Sequence, residues 1–134
     1  MEHFLSSLAG CICILAPALA QELGMEAQGL QTVVEGTLDV RRFLAEDGVK
    51  PGFRTVTVRV KLKTHHPQEQ VDRLKEEFER RCPFHYMLKE TGALVDSQWE
   101  AVSAGTEEAV GWLGPIPRPQ ERPGIEVPGV RYYR

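Results

Sequence analysis

The sequence predicts a single α+β domain, and three observations carry that reading. From Phe4 to Ala20 the chain holds no charged residue. Residues 54–63 alternate strictly between apolar and polar, and residues 67–81 place Val71, Leu74 and Phe78 at helical spacing behind a proline. At 134 residues, a fold of this kind buries roughly two thirds of its unfolded surface, enough for a core without staples.

The first element is a helix over residues 2–23, kinked near Pro17 and stopped at Gly24. Because it is apolar on nearly every side, it is expected to be the central buried helix, covered all round. Residues 30–40 read as a bent strand with a bulge at Gly36. The dipeptides Asp47-Gly48 and Pro51-Gly52 make the next dozen residues a loop.

In the strand at 54–63, Val56, Val58, Val60 and Leu62 share one face while Thr55, Thr57, Arg59, Lys61 and Lys63 share the other. One side of the sheet is therefore wet. Pro67 opens a second helix that packs on this sheet and ends at Arg80-Arg81, and Pro83 suits the first position of a short third helix. A last strand at 93–102, carrying Leu94 and Trp99, completes a sheet expected to be antiparallel. The domain is read as residues 1–105. Five of the nine prolines fall between Pro115 and Pro128, so residues 106–134 form a Pro-rich extension whose apolar residues suit it to lie across the body or a partner chain.

Composition excludes several classes. A net charge of -3 gives no broad attraction to phosphate or anionic lipid, so neither nucleic acid nor a membrane is an expected partner. The apolar run could mimic a secretory or lipoprotein signal processed at Cys11, but its preceding residues hold Glu2 and no Lys or Arg, against the positive start such signals need. Pro17 breaks the run as a membrane span. The chain is read as cytoplasmic.

The three cysteines follow no C-x-x-C spacing and are expected as reduced thiols. Cys82 falls just before a helix N-terminus, with Arg80 and Arg81 before it and His85 one turn on, an environment that favours a thiolate. Cys11 and Cys13 point to roughly opposite faces of the first helix, and spacing does not say which of them meets Cys82. A zinc site of Cys11, Cys82 and His85 lacks an evident fourth ligand, and His65 and His66 read as solvated loop residues. No metal or organic cofactor is expected.

A helix with Leu8-Ala9-Gly10-Cys11, two strands around a Pro-Gly turn, a charged helix ending Arg80-Arg81-Cys82-Pro83, and then a short helix and strand resemble the OsmC/Ohr family (osmotically induced and organic hydroperoxide resistance proteins). The resemblance covers about residues 1–102. It implies an intertwined homodimer and a thiol-dependent peroxidase that reduces organic hydroperoxides, Cys11 attacking and Cys82 resolving, with an external dithiol as reductant. Cys13 is then a bystander. Family members begin with a strand hairpin whose arginine orients the attacking thiolate and pairs with a glutamate. This sequence starts at the helix, and Glu2 stands nearest to that glutamate. Without a fixed guanidinium, a thiol on an apolar helix should have its pKa raised. The alternative is therefore a non-catalytic dimer of the same fold that binds a small apolar ligand.

Overall fold

The computed structural model describes residues 2–44 and 47–103. The Pro-rich extension expected at 106–134 lies outside the described residues. The element order is α1 (Glu2–Glu22), β1 (Gly29–Leu38), a 3-10 turn (Val40–Leu44), β2 (Phe53–Lys63), α2 (Gln68–Arg81), α3 (Pro83–Glu90) and β3 (Leu94–Val102). An α+β domain with a long N-terminal helix is thus what the chain builds.

Helix α1 ends where its glycine allows. Gly24 takes the left-handed conformation (φ 70), donating its N–H to the Gln21 carbonyl at 3.1 Å, while Met25 donates to the Ala20 carbonyl at 2.8 Å. Two otherwise orphaned carbonyls are satisfied, and the chain turns toward β1.

The described residues cover α1, expected to be buried all round, on one side. Its buried residues are Leu8, Ile12, Ala16, Leu19 and Ala20, a single stripe, and Ile14 on the opposite side is 65% exposed. Three strands present one face to the helices, so among the described residues only the stripe facing the sheet is covered. By length and composition α1 passes for a membrane span, yet this stripe packs into the core with β1, α2 and α3.

Strand β2 is the middle of the three-stranded sheet, in the order β1-β2-β3. Val56, Val58, Val60 and Leu62 are buried against the helices, as their alternation predicts. At about 25 cal/mol per Å² of apolar surface, each contributes about 1.5–3 kcal/mol. Strand β1 pairs with β2 antiparallel, Thr32 opposite Val60. Strand β3 pairs with β2 in parallel, Val60 opposite Trp99. The sheet is therefore mixed rather than antiparallel, because α2 and α3 together carry the chain back along the sheet and return β3 in the direction of β2.

The irregularity in β1 falls between Thr37 and Leu38, beside the expected bulge at Gly36. Gly36 has another role. A Cβ there would lie 2.7 Å from the ring of Phe53, with a methyl of Leu5 at 3.1 Å.

Two devices join the helices to the sheet. The Gln68 side-chain amide donates to the Trp99 carbonyl at 2.7 Å and its oxygen accepts the Ala101 N–H at 2.8 Å, so the start of α2 bonds to the outer edge of β3 as a strand would. At the centre, the Phe78 and Trp99 rings meet with centroids 5.3 Å apart, a separation typical of favourable aromatic pairs.

Candidate functional site: a thiol pair between α1 and α3

Cys82 is placed by the residue after it. A residue before proline is pushed to extended backbone, and Cys82 takes φ -78 and ψ 117 between the two helices. It ends α2, donating its N–H to the Phe78 carbonyl at 2.8 Å, and begins α3, its carbonyl accepting the Tyr86 N–H at 3.0 Å. This break turns the thiol inward, where Cys82 is 1% exposed.

Opposite it stands Cys11. The two sulfurs lie 3.4 Å apart, one thiol donating to the other, and both are free thiols. The face that spacing left open is thereby settled: it is Cys11 that meets Cys82. Cys13 is partly buried and packs against the core, and burial raises its pKa.

The surroundings of Cys11 favour its neutral form. The Cys11 pKa is pushed up to about 12, first by burial, then by its hydrogen bond and charge interaction with Cys82. This agrees with the expectation for a thiol on an apolar helix without a guanidinium beside it. Arg80 and Arg81 do not supply one. Arg80 is held by Glu77 at 2.6 Å and Arg81 by Glu22 at 2.6 Å.

His85, one turn beyond Cys82, is 3% exposed, and its Nε2 has no hydrogen-bond partner among the described residues. Burial, its largest influence, lowers the His85 pKa, so the ring is neutral near pH 7. Among the described residues no group of three or more His, Cys, Asp or Glu side chains is placed to hold a metal, Cys11, Cys82 and His85 included.

Glu2 lies in the exposed first turn of α1. Nine residues separate it from Cys11, about 13 Å along the axis at 1.5 Å per residue. The structure thus brings Cys11 and Cys82 together and leaves Glu2 at the other end of the helix's first half.

A run of rings that the sequence motifs did not signal lies on the Cys11 side of α1. Phe4, two turns before Cys11 on the same side of α1, contacts Phe84 edge-on at 5.8 Å and Phe53 at 6.0 Å. Phe84 stands two residues after Cys82. The available sequence signal was the seven-residue spacing of Phe4 and Cys11.

The fold has known relatives. It resembles an OsmC-like protein from Mycoplasma pneumoniae, with a TM-score of 0.62 at 16% identity over 75% of this chain and 68% of that one. It also resembles an organic hydroperoxide resistance protein OsmC from Legionella pneumophila, TM-score 0.56 and 16% identity, covering 75% and 66% of the two chains. The organic hydroperoxide resistance protein OhrB of Bacillus subtilis has a TM-score of 0.50 at 21% identity, covering 74% and 66%. At these identities the likeness is one of fold. No curated protein matches the chain. Residues 1–96 match the family described as OsmC-like protein. The chain belongs to the OsmC-like protein family.

Proposed function

We propose that this chain is a cytoplasmic thiol-dependent redox protein that reduces organic hydroperoxides, Cys11 being the attacking and Cys82 the resolving thiol. The observation that supports this most directly is the 3.4 Å separation of the two sulfurs across α1 and the α2–α3 break.

In this reading the Cys11 thiolate attacks the outer oxygen of the hydroperoxide, the O–O bond breaks, and the alcohol leaves after taking a proton, with Cys11 oxidised to a sulfenic acid. The Cys82 sulfur then displaces hydroxide from Cys11, forming the disulfide and, after protonation, water. An external dithiol reduces the disulfide by exchange. Closing the gap from 3.4 Å to a disulfide bond takes a movement of about 1.4 Å. Phe4, Phe53 and Phe84 offer the apolar surface an organic hydroperoxide needs. The raised Cys11 pKa means that the step requires a base to take the proton or a cation to stabilise the thiolate. We assign Glu2 to that network only as the family counterpart, acting in a homodimer in which a second chain covers the exposed side of α1.

The second reading, a non-catalytic scaffold of the same fold that binds a small apolar ligand, draws on the Cys11 pKa of about 12. A single experiment separates the two. Native protein is treated with a small excess of cumene hydroperoxide, blocked with a thiol reagent and mapped by peptide mass. A Cys11–Cys82 disulfide formed within seconds to minutes supports the peroxidase, and turnover that survives Cys11→Ser and Cys82→Ser together would sink it. Thiols left unreacted favour the scaffold.

A further inference from the structure

At the end of the sheet where β1 finishes and β2 and β3 begin, the fold forms a cavity of about 730 Å³, within the range of small-molecule sites. Its chemistry is two-sided.

One side is cationic and organised. The Asp39 side chain is only 8% exposed. It accepts hydrogen bonds from Arg41, at 3.1 Å from the backbone N–H, 3.0 Å from Nε and 2.6 Å from Nη2. Arg54 approaches the same carboxylate from β2, Nη1 at 3.5 Å. Both side chains keep more than half their surface exposed, so Asp39 holds the Arg41 guanidinium by hydrogen bonds and draws Arg54 toward the same wall by charge alone. Lys50 adds a third cation. It makes no ion pair among the described residues. Among the described residues that line it, the cavity thus carries Arg41, Lys50 and Arg54 and the single carboxylate of Asp39, in a chain whose net charge is -3.

The other side is apolar. The Phe53 ring, held in place by the space at Gly36, and Leu94, which at 73% exposure is an unusually open large aliphatic residue, both line it. An apolar wall facing water beside fixed guanidiniums suits a ligand that has both characters.

We propose that this cavity binds an amphipathic organic anion, its carboxylate or phosphate against Arg41, Arg54 and Lys50 and its short apolar body against Phe53 and Leu94. Neither sulfur lines the cavity, and Phe53, which also meets Phe4, is the residue it shares with the rings on the side of the thiol pair.

Octanoate and octyl phosphate serve as probes on the full chain, followed by calorimetry and by amide shifts in NMR, in wild type and in the Cys11→Ser, Cys82→Ser protein. Saturable one-to-one binding of either probe in both backgrounds is expected, with shifts centred on residues 50–54 and Leu94. Lys50→Ala and Arg54→Gln should each weaken binding about threefold or more, and together about tenfold. Leu94→Ser should weaken both probes while leaving inorganic phosphate unchanged. Lys50 is exposed and makes no ion pair among the described residues, so Lys50→Ala tests the charge without disturbing the fold, and a thermal melt checks Arg54→Gln. The proposal is overturned by any of three results: no saturation below about 10 mM, affinity unmoved by the double variant, or equal binding of octyltrimethylammonium. Inorganic phosphate binding as tightly as octyl phosphate would also overturn it, by leaving the apolar wall no part. Because binding is read in protein without the thiol pair, its loss says nothing of peroxidase activity, and an inactive thiol pair says nothing of binding.

Discussion

The ring of Phe53 occupies the space a side chain on Gly36 would need, an approach of 2.7 Å to an added Cβ. The contact joins the end of β1 to the start of β2 and lets Phe53 reach Phe4 on α1. Gly36→Ala should therefore destabilise the protein by about 1–3 kcal/mol, the usual range for overpacking. Chemical denaturation measures it. An unchanged midpoint would mean that the ring shifts freely.

The Cys11 thiol, with its pKa near 12, should react with iodoacetamide at a rate rising about tenfold per pH unit from pH 7 to beyond pH 10. A plateau near neutral pH would show a thiolate that these residues do not account for. The linkage has a definite sign. Folding holds the proton on Cys11 while the unfolded thiol loses its proton near its ordinary value, so this group's contribution to stability is full below about pH 9 and falls between about pH 9 and 12. Cys11→Ser should flatten that alkaline decline.

His85 predicts an opposite slope in acid. Its pKa is lowered by burial first, with Glu79 opposing and Lys89 and Lys75 reinforcing. The unfolded chain binds the proton more readily, so stability should drop as pH falls below about 6.5, and His85→Gln should reduce that drop. Thermal melts from pH 5 to 8 give the comparison.

Phe78→Ala removes the ring that meets Trp99 and leaves a void among fully buried neighbours. A loss of about 3–5 kcal/mol is expected, read as a lower denaturation midpoint with quenched or shifted Trp99 fluorescence.

Gln68→Ala withdraws both bonds to β3 and should lower stability by about 1–3 kcal/mol. Hydrogen exchange at the Ala101 amide should accelerate in step. Protection retained there would mean another acceptor replaces the side chain.

Much of this arrangement was legible in the chain itself. The alternation of residues 54–63 specified the face of β2, and Pro67, Gly24 and Pro83 marked the helix limits, because those residues act through local backbone sterics. The direction of β3 was not legible: Leu94 and Trp99 read alike in parallel and antiparallel pairing, and the crossover alone decides it. Nor was the one-sided cover of α1, since an apolar residue such as Ile14 looks the same whether covered or open. For the thiols, Cys82-Pro83 located one sulfur by a local rule. The choice of Cys11 over Cys13 required the rotation of a helix against distant elements. The Gln68 bonds to β3 span 31 and 33 residues, and a single polar side chain gives no periodic sign of such a reach.

Those bonds also bear on how molecules meet. Strand β3 stands at the rim of the sheet, where open backbone groups invite strands from other chains. Gln68 already fills the Trp99 carbonyl and the Ala101 amide, so a foreign strand would have to displace it before the ladder could extend. A glutamine at the start of a helix thereby guards the rim against aggregation, and its removal should show first as turbidity on prolonged warming, before any measurable loss of helix.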